Sequence, residues 1–313
     1  MQIFVSGSLA YDRIMDFPGK FSDHILPDKI HILNVCFVVN GLKEKFGGTA
    51  GNIAYNLALL GERPLILATV GNDFDKYETW LRKHDLPLSG IRHISEELTA
   101  GAYITTDMSD NQITGFNPGA MKYPSLCHFD GVKPREALAI LAPGNVEDMV
   151  DYSRTYKKNK IPYMCDPGQQ ISSLRGEQLS EIIAGCELLI SNDYELEMIV
   201  QATGLRKVDL LKRTKAIIST LGDKGSLVCQ PQYEVAIPAV EALRVLDPTG
   251  AGDAYRAGLI KGLVLGKDLE DAARMGATCA SYAVECYGTQ EHRFSQDEFW
   301  ERYRAAFGED KKA

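Results

Sequence analysis

The sequence lacks the spacings that mark metal and redox centres. None of its seven cysteines (Cys36, Cys127, Cys165, Cys186, Cys229, Cys279 and Cys286) forms a C-x-x-C pair. Its six histidines include no H-x-H or H-x-x-x-H. A zinc site therefore has no support. The odd cysteine count, mostly within apolar runs, predicts buried reduced thiols in a cytoplasmic protein rather than a disulfide framework. No run of 18 apolar residues occurs, so no membrane helix is expected. The start, MQIFVSGSLAYD, lacks the basic stretch and long apolar run of a signal peptide and reads as a first strand. Excess positive charge is also missing: the net charge is −8, which argues against nucleic acid or a membrane surface as partner. A small anion remains possible as a ligand, because it needs only a local site. Two familiar phosphate loops are absent as well. No G-x-x-x-x-G-K-[ST] exists, and the pair Gly250/Gly252 lacks the third glycine of G-x-G-x-x-G because residue 255 is Tyr.

What is present is an ordinary globular balance over 313 residues, 45% apolar and 24% charged. That length suits one large α/β domain with a small attachment. Near-continuous apolar strands are predicted over 3–8, 64–71, 137–143, 163–166, 188–192 and 216–221. Helices are predicted between them over 50–60, 74–84, 147–159 and 194–203, and later over 252–265, 269–285 and 296–307. Apolar strands alternating with helices predict a mostly parallel sheet covered on both faces, a three-layer α/β/α arrangement. Two early segments break the rhythm, 31–40 (HILNVCFVVN) and 100–116, the second carrying the turn Ser109-Asp110-Asn111. They read as antiparallel strands projecting from the main sheet.

The stretch richest in chemistry is Asp247-Pro-Thr-Gly-Ala-Gly-Asp253, running into AYRAGLIKGLVLG. Gly250 and Gly252 leave backbone amides uncovered just where a helix begins. The first N–H groups of a helix have no internal partner, and the dipole there is positive. A phosphate, or a developing phosphoryl charge, fits such a place. Asp253 beside it can accept a proton from an attacking alcohol. The plainer alternative is a helix-capping Asp after a simple turn.

These residues resemble the ribokinase/PfkB carbohydrate kinase family, and most closely its bacterial adenosine kinase-like branch. Four motifs in the family's order carry the resemblance: Gly47-Gly48-Thr49-Ala50-Gly51-Asn52, Asn192-Asp193-Tyr194-Glu195, Thr220-Leu221-Gly222-Asp223-Lys224-Gly225, and the 247–253 stretch. The resemblance spans residues 7–288. It implies a ribokinase-like fold with a small β lid. The expected division is 1–11, 41–99 and 117–313 for the nucleotide-binding unit, and 12–40 with 100–116 for the lid.

The same resemblance implies site roles. Gly250, Ala251 and Gly252 would form the anion hole and Asp253 the general base. Asn192 and Glu195 would order Mg2+ through water, a hard cation that suits oxygen donors. Thr220, Gly222 and Gly225 would contact ATP. Asp12, Gly47, Gly48 and Asn52 would bind the acceptor's hydroxyls, although Asp12 also reads as a turn residue. Asp247 and Thr249, with residues 283–288 (AVECYG), resemble a K+ site of some members. The implied reaction is transfer of the ATP γ-phosphate to a nucleoside 5′-hydroxyl, pointing to adenosine, AMP and ADP, and purine salvage. A ribokinase- or fructokinase-type sugar kinase is the alternative. Phe37, Val39, Phe116 and Met121 are candidates for apolar walls around a base. Monomer and homodimer both stay open.

Overall fold

The computed structural model describes residues 1–109 and 111–309. Asp110 of the expected turn and residues 310–313 lie outside the described residues. The chain begins β1 (Gln2–Ser6), β2 (Ala10–Asp16), β3 (Asn40–Gly47), α1 (Thr49–Leu59), β4 (Leu65–Val70), α2 (Asp75–Lys83), β5 (Ile91–His93), β6 (Ala100–Thr106) and β7 (Gln112–Asn117). It continues β8 (Ala137–Leu141), α3 (Val146–Asn159), β9 (Tyr163–Cys165), α4 (Gly176–Ile183), β10 (Leu188–Asn192), α5 (Asp193–Thr203), α6 (Lys207–Leu210) and β11 (Ala216–Thr220). It closes with β12 (Ser226–Cys229), β13 (Glu234–Ile237), α7 (Ala251–Val264), α8 (Leu269–Ala283) and α9 (Gln296–Phe307).

Nine strands form the main sheet in the order β13-β12-β11-β10-β9-β8-β1-β4-β5. From β5 to β11 every pairing is parallel, and β12 and β13 add an antiparallel edge. Successive strand residues feed opposite faces, as the two-residue period of a strand requires. Ile3 and Val5 enter one core with α1, α2, α7 and α8, whereas Phe4 enters the other with α3 and α4. Leu188 and Ile190 against Leu189 repeat this division. Both faces are thus buried, which explains why the strands are almost wholly apolar. The result is the three-layer α/β/α arrangement that the alternating strands and helices predict.

The order reverses around β1, whose neighbours β4 and β8 lie on opposite sides. In parallel α/β sheets such a switch point opens a crevice beyond the strands' carboxyl ends. A second sheet of four strands, β3-β2-β6-β7, stands beside it.

One expected strand is corrected. Of the expected strand 31–40 only Asn40 is extended into a sheet: residues Pro27–Ile32 make a 3-10 turn, and the strand that pairs with β2 is β3, shifted to Asn40–Gly47. The boundary drawn after residue 40 therefore falls just inside the strand that pairs with β2. The physical reason is that β3 (NGLKEKFG) is polar and exposed over most of its length, so it shows no buried period. The apolar run before it is largely exposed, with Ile32 66% and Val38 82% accessible. All seven cysteines are free, and Cys165, Cys186, Cys229 and Cys279 are buried.

Candidate active site

A cleft of about 650 Å3 opens at the carboxyl ends of the central strands. Its floor follows from three local devices. Ser8, just after β1, accepts the Thr49 N–H through its hydroxyl at 3.0 Å, and Thr49 Oγ1 donates to the Pro143 carbonyl at 2.7 Å. These bonds fix the start of α1, which has no side-chain cap of its own. Gly48 precedes it at φ 87°, and a β-carbon there would lie 2.6 Å from the Ser8 carbonyl, so the turn needs glycine. Gly250 does the same for α7 at φ 81°.

Asp253 is the third residue of α7 and is half-buried. Asn52, buried on α1, donates from Nδ2 to Asp253 Oδ2 at 2.8 Å. Gln290 Nε2 donates to Asn52 Oδ1 at 3.0 Å, which sets that amide's orientation. Gln290 is held in turn by the Trp80 indole N–H at 2.8 Å, and it also donates to the Tyr77 hydroxyl. Tyr77 donates to the Gly47 carbonyl at the end of β3. Asp253, both glycine-bearing turns and the small sheet are thereby joined in one buried network. Burial pushes the Asp253 carboxyl up to about 6, against the opposing effects of Arg256 and the Asn52 hydrogen bond. Asp12 on β2 is likewise pushed up to about 6, by burial and then by Asp247.

Asp12, Gly48, Asn52, Gly250, Gly252 and Asp253 all line the cleft, as do Asn192, Glu195, Thr220, Gly222 and Thr249. Asn192 and Glu195 form a reciprocal cap on α5: Glu195 N–H donates to Asn192 Oδ1 at 2.7 Å, and Asn192 N–H donates to Glu195 Oε2 at 2.8 Å. The two residues thus cap the helix and line the cleft at once. Burial raises the Glu195 carboxyl.

Four predicted residues lie elsewhere. Gly47, at the end of β3 and paired with Ala10, does not itself line the cleft but lies against the Asp12 carboxylate, 2.5 Å from where its β-carbon would be. Ala251 and Gly225 line a second cavity, an apolar groove of about 650 Å3 on the other side of the glycine turn. The Ala251 N–H is already engaged, donating to the Pro248 carbonyl at 3.2 Å, which leaves Gly252 and Asp253 as first-turn amides. Asp247 does not line the cleft, and its carboxylate accepts the N–H groups of Thr249 and Gly288, at 2.9 and 3.0 Å. Thr220, Gly222 and Gly252 border both cavities, so these are continuous past the start of α7.

Of the four apolar-wall candidates, Phe116 on β7 lines the cleft. Phe37 instead joins a cluster with Phe17, Phe21 and His24, and Val39 and Met121 line neither cavity. Cleft residues that no sequence motif signalled include Gln169, Asp166 and Arg256. The last two form a buried ion pair. Its one legible signal was an arginine inside the apolar stretch AYRAGL. No cluster of three or more His, Cys, Asp or Glu fit to hold a metal occurs among the described residues, and no described helix is long and apolar enough to cross a membrane.

A profile described as the pfkB family carbohydrate kinase matches residues 23–295. The chain is 34% identical over 275 residues to a nucleoside kinase of Methanocaldococcus jannaschii, covering 86% of this chain and 89% of that one. The structure of Burkholderia thailandensis nucleoside kinase in complex with inosine superposes with a TM-score of 0.88 at 34% identity, covering 99% of this chain and all of that one. Its complex with ADP-inosine gives 0.86 at 36% identity, over 99% and 97% of the two chains. With the matching motifs gathered around one cleft, the chain belongs to the PfkB family of carbohydrate kinases, phosphotransferases acting on a hydroxyl group.

Proposed function

We propose that the protein is an ATP-dependent nucleoside kinase that carries the γ-phosphate to the ribose 5′-hydroxyl, with adenosine as the leading acceptor and Asp253 as general base. The observation that carries this reading is the position of the Asp253 carboxylate. It stands at the start of α7, where a polar cleft meets an apolar groove. An adenine in the groove and a ribose in the cleft would bring donor and acceptor together over Gly252. The nucleoside kinase relatives, one of them bound to inosine, support a purine nucleoside in the cleft.

In this reaction the acceptor hydroxyl gives its proton to Asp253 as its oxygen forms a bond to the γ-phosphorus and the bond to ADP breaks. The amides of Gly252 and Asp253 face the charge that develops on the phosphoryl oxygens. Asp12 from the small sheet would hold ribose hydroxyls. Phe116, half exposed on the same sheet, offers a face to the base. The small sheet would act as a lid that excludes water, so that ATP is not hydrolysed before the acceptor arrives.

Asn192 and Glu195 supply oxygen donors at the cleft and suit a hydrated Mg2+, which would screen the triphosphate. For K+, Asp247 has both carboxylate oxygens engaged by N–H groups, so the fit rests on carbonyls of the 247–249 and 283–288 loops. An ADP-release assay with MgATP, run over adenosine, inosine, ribose and fructose in K+ and in Na+, tests the reading. Turnover of adenosine and inosine with AMP or IMP as product is expected. Turnover of ribose or fructose alone would replace it with a sugar kinase.

A further inference from the structure

We propose that Arg256 is a cationic partner of the transferred phosphoryl group, with Asp166 as the residue that positions it. This rests on the kinase reading above and adds to it a side-chain charge that none of the sequence motifs predicted.

Arg256 is 6% exposed in the first turns of α7, among Ala254, Ala257 and Leu259, which are fully buried. Burying a guanidinium costs several kcal/mol, and an ion pair seldom returns more than an apolar pair of the same volume would. Holding the helix in place therefore does not explain the arginine. Its direction does. Helical side chains lean toward the N-terminus and over the residue four positions earlier. For Arg256 that residue is Gly252. A β-carbon on Gly252 would lie 2.8 Å from Arg256 Nη1, so bare glycine leaves the guanidinium open at the anion hole.

The other nitrogens are taken. Nη2 donates to Asp166 Oδ1 at 2.9 Å and Nε donates to Asp166 Oδ2. Asp166 is 2% exposed, directly after β9, and its N–H donates to the Leu141 carbonyl at 2.8 Å. The carboxylate is thus anchored to the main sheet and fixes the guanidinium plane, leaving Nη1 unpaired and facing Gly252.

The charge balance points the same way. Asp12, Asp166, Asp193, Glu195 and Asp253 line the cleft, and Arg256 is the one cationic side chain among its described lining residues. A triphosphate entering such a cleft meets mostly repulsion. The single guanidinium stands where the γ-phosphoryl group must pass. Arg256 exchanges no proton in the step. It holds negative charge on the phosphoryl oxygens while the proton goes to Asp253.

The decisive variant is the double substitution Asp166→Asn with Arg256→Gln, which removes both charges and keeps a hydrogen-bonded pair of similar size. With adenosine and MgATP saturating, kcat is expected to fall by about 10²–10³-fold, the usual loss for one transition-state donor. Adenosine affinity by calorimetry is expected to stay within about threefold, since the proposed contact is with the phosphoryl group and not with the nucleoside. The loss is expected to be the same at pH 7.5 and pH 9. A kcat near that of the parent protein would overturn the proposal. So would a loss that recovers at pH 9, because Arg256 would then act only by favouring ionised Asp253. Should the double variant fail to fold, Arg256→Lys keeps a cation on Asp166 and loses Nη1, and the same rate and pH criteria apply. Absence of turnover in the parent protein would strike the kinase reading itself, whereas the variants address Arg256 alone.

Discussion

On one side of Gly252 the cleft is lined with five carboxylates and one guanidinium. On the other, the groove is walled by Ala239, Val240, Val245, Ala277, Ala280 and Val284. The two cavities have equal volume, about 650 Å3 each, and share the first turn of α7. They differ in what their walls cost. The groove's two carboxylates, Asp223 and Glu241, are exposed to solvent, and its apolar wall can hold a flat apolar surface by area alone. The cleft keeps Asp12, Asp253 and Glu195 where burial raises their carboxyl pKa values. Such groups weaken the folded state at neutral pH, a sign of residues kept for chemistry rather than stability.

The largest expected effect comes from removing the carboxylate at the junction. Asp253→Asn should lower kcat by about 10²–10⁴-fold with ATP affinity nearly unchanged, as measured by steady-state kinetics and calorimetry. The same substitution should raise the melting temperature at pH 7.5. The folded-state pKa of Asp253 is raised, so the folded protein holds its proton more tightly than the unfolded chain does. Stability is therefore lost as pH rises through about 6, and an amide avoids that loss. A variant that is both inactive and less stable would break the contrast between the two cavities.

A pH profile sharpens it further. Below about pH 6 the Asp253 carboxyl is protonated and cannot take the acceptor's proton, so kcat should fall about tenfold per pH unit. A flat acid limb would separate Asp253 from the rate. The smallest expected effect lies in the groove. Val245→Asp, at a position 71% exposed, should raise the KM for ATP about tenfold and leave the KM for nucleoside and the melting temperature unchanged. A change in nucleoside KM instead would mean that the acceptor uses the groove.

How much of this could be read in advance follows the same contrast between apolar and polar walls. The buried strands announced themselves: β10 was read as 188–192, its observed span, because burial on both faces leaves an unbroken apolar run. Helix α9 also has its expected limits, 296–307, and Ser295 and Glu298 make a reciprocal cap at its start. The glycine turns were legible because few other sequences permit their conformation. The small sheet was misread where solvent covers it, at β3, because an exposed strand has no burial period to display. The supporting groups were illegible for another reason. Arg256 meets Asp166 across 90 residues and Gln290 meets Asn52 across 238, and nothing local encodes such pairs. Sequence thus showed the glycine turns and Asp253, and hid the partners that reach them from distant parts of the chain.

The contacts of residues 289–291 have a consequence for synthesis. Thr289 donates to the Phe46 carbonyl at 3.0 Å, Gln290 sets the Asn52 amide, and Glu291 pairs with Lys45 at 2.7 Å. The segment that latches the small sheet and orients the first glycine motif is thus translated some 240 residues after it. While the ribosome is still adding α8, the strand, the turn and the carboxylate are already made, but the clasp that sets their geometry is not. A nascent chain therefore carries an unlatched β3 and an Asn52 without its Gln290 partner until this late segment emerges, and a stall in that interval would leave the end of β3 and the Asn52 amide without the contacts that fix them.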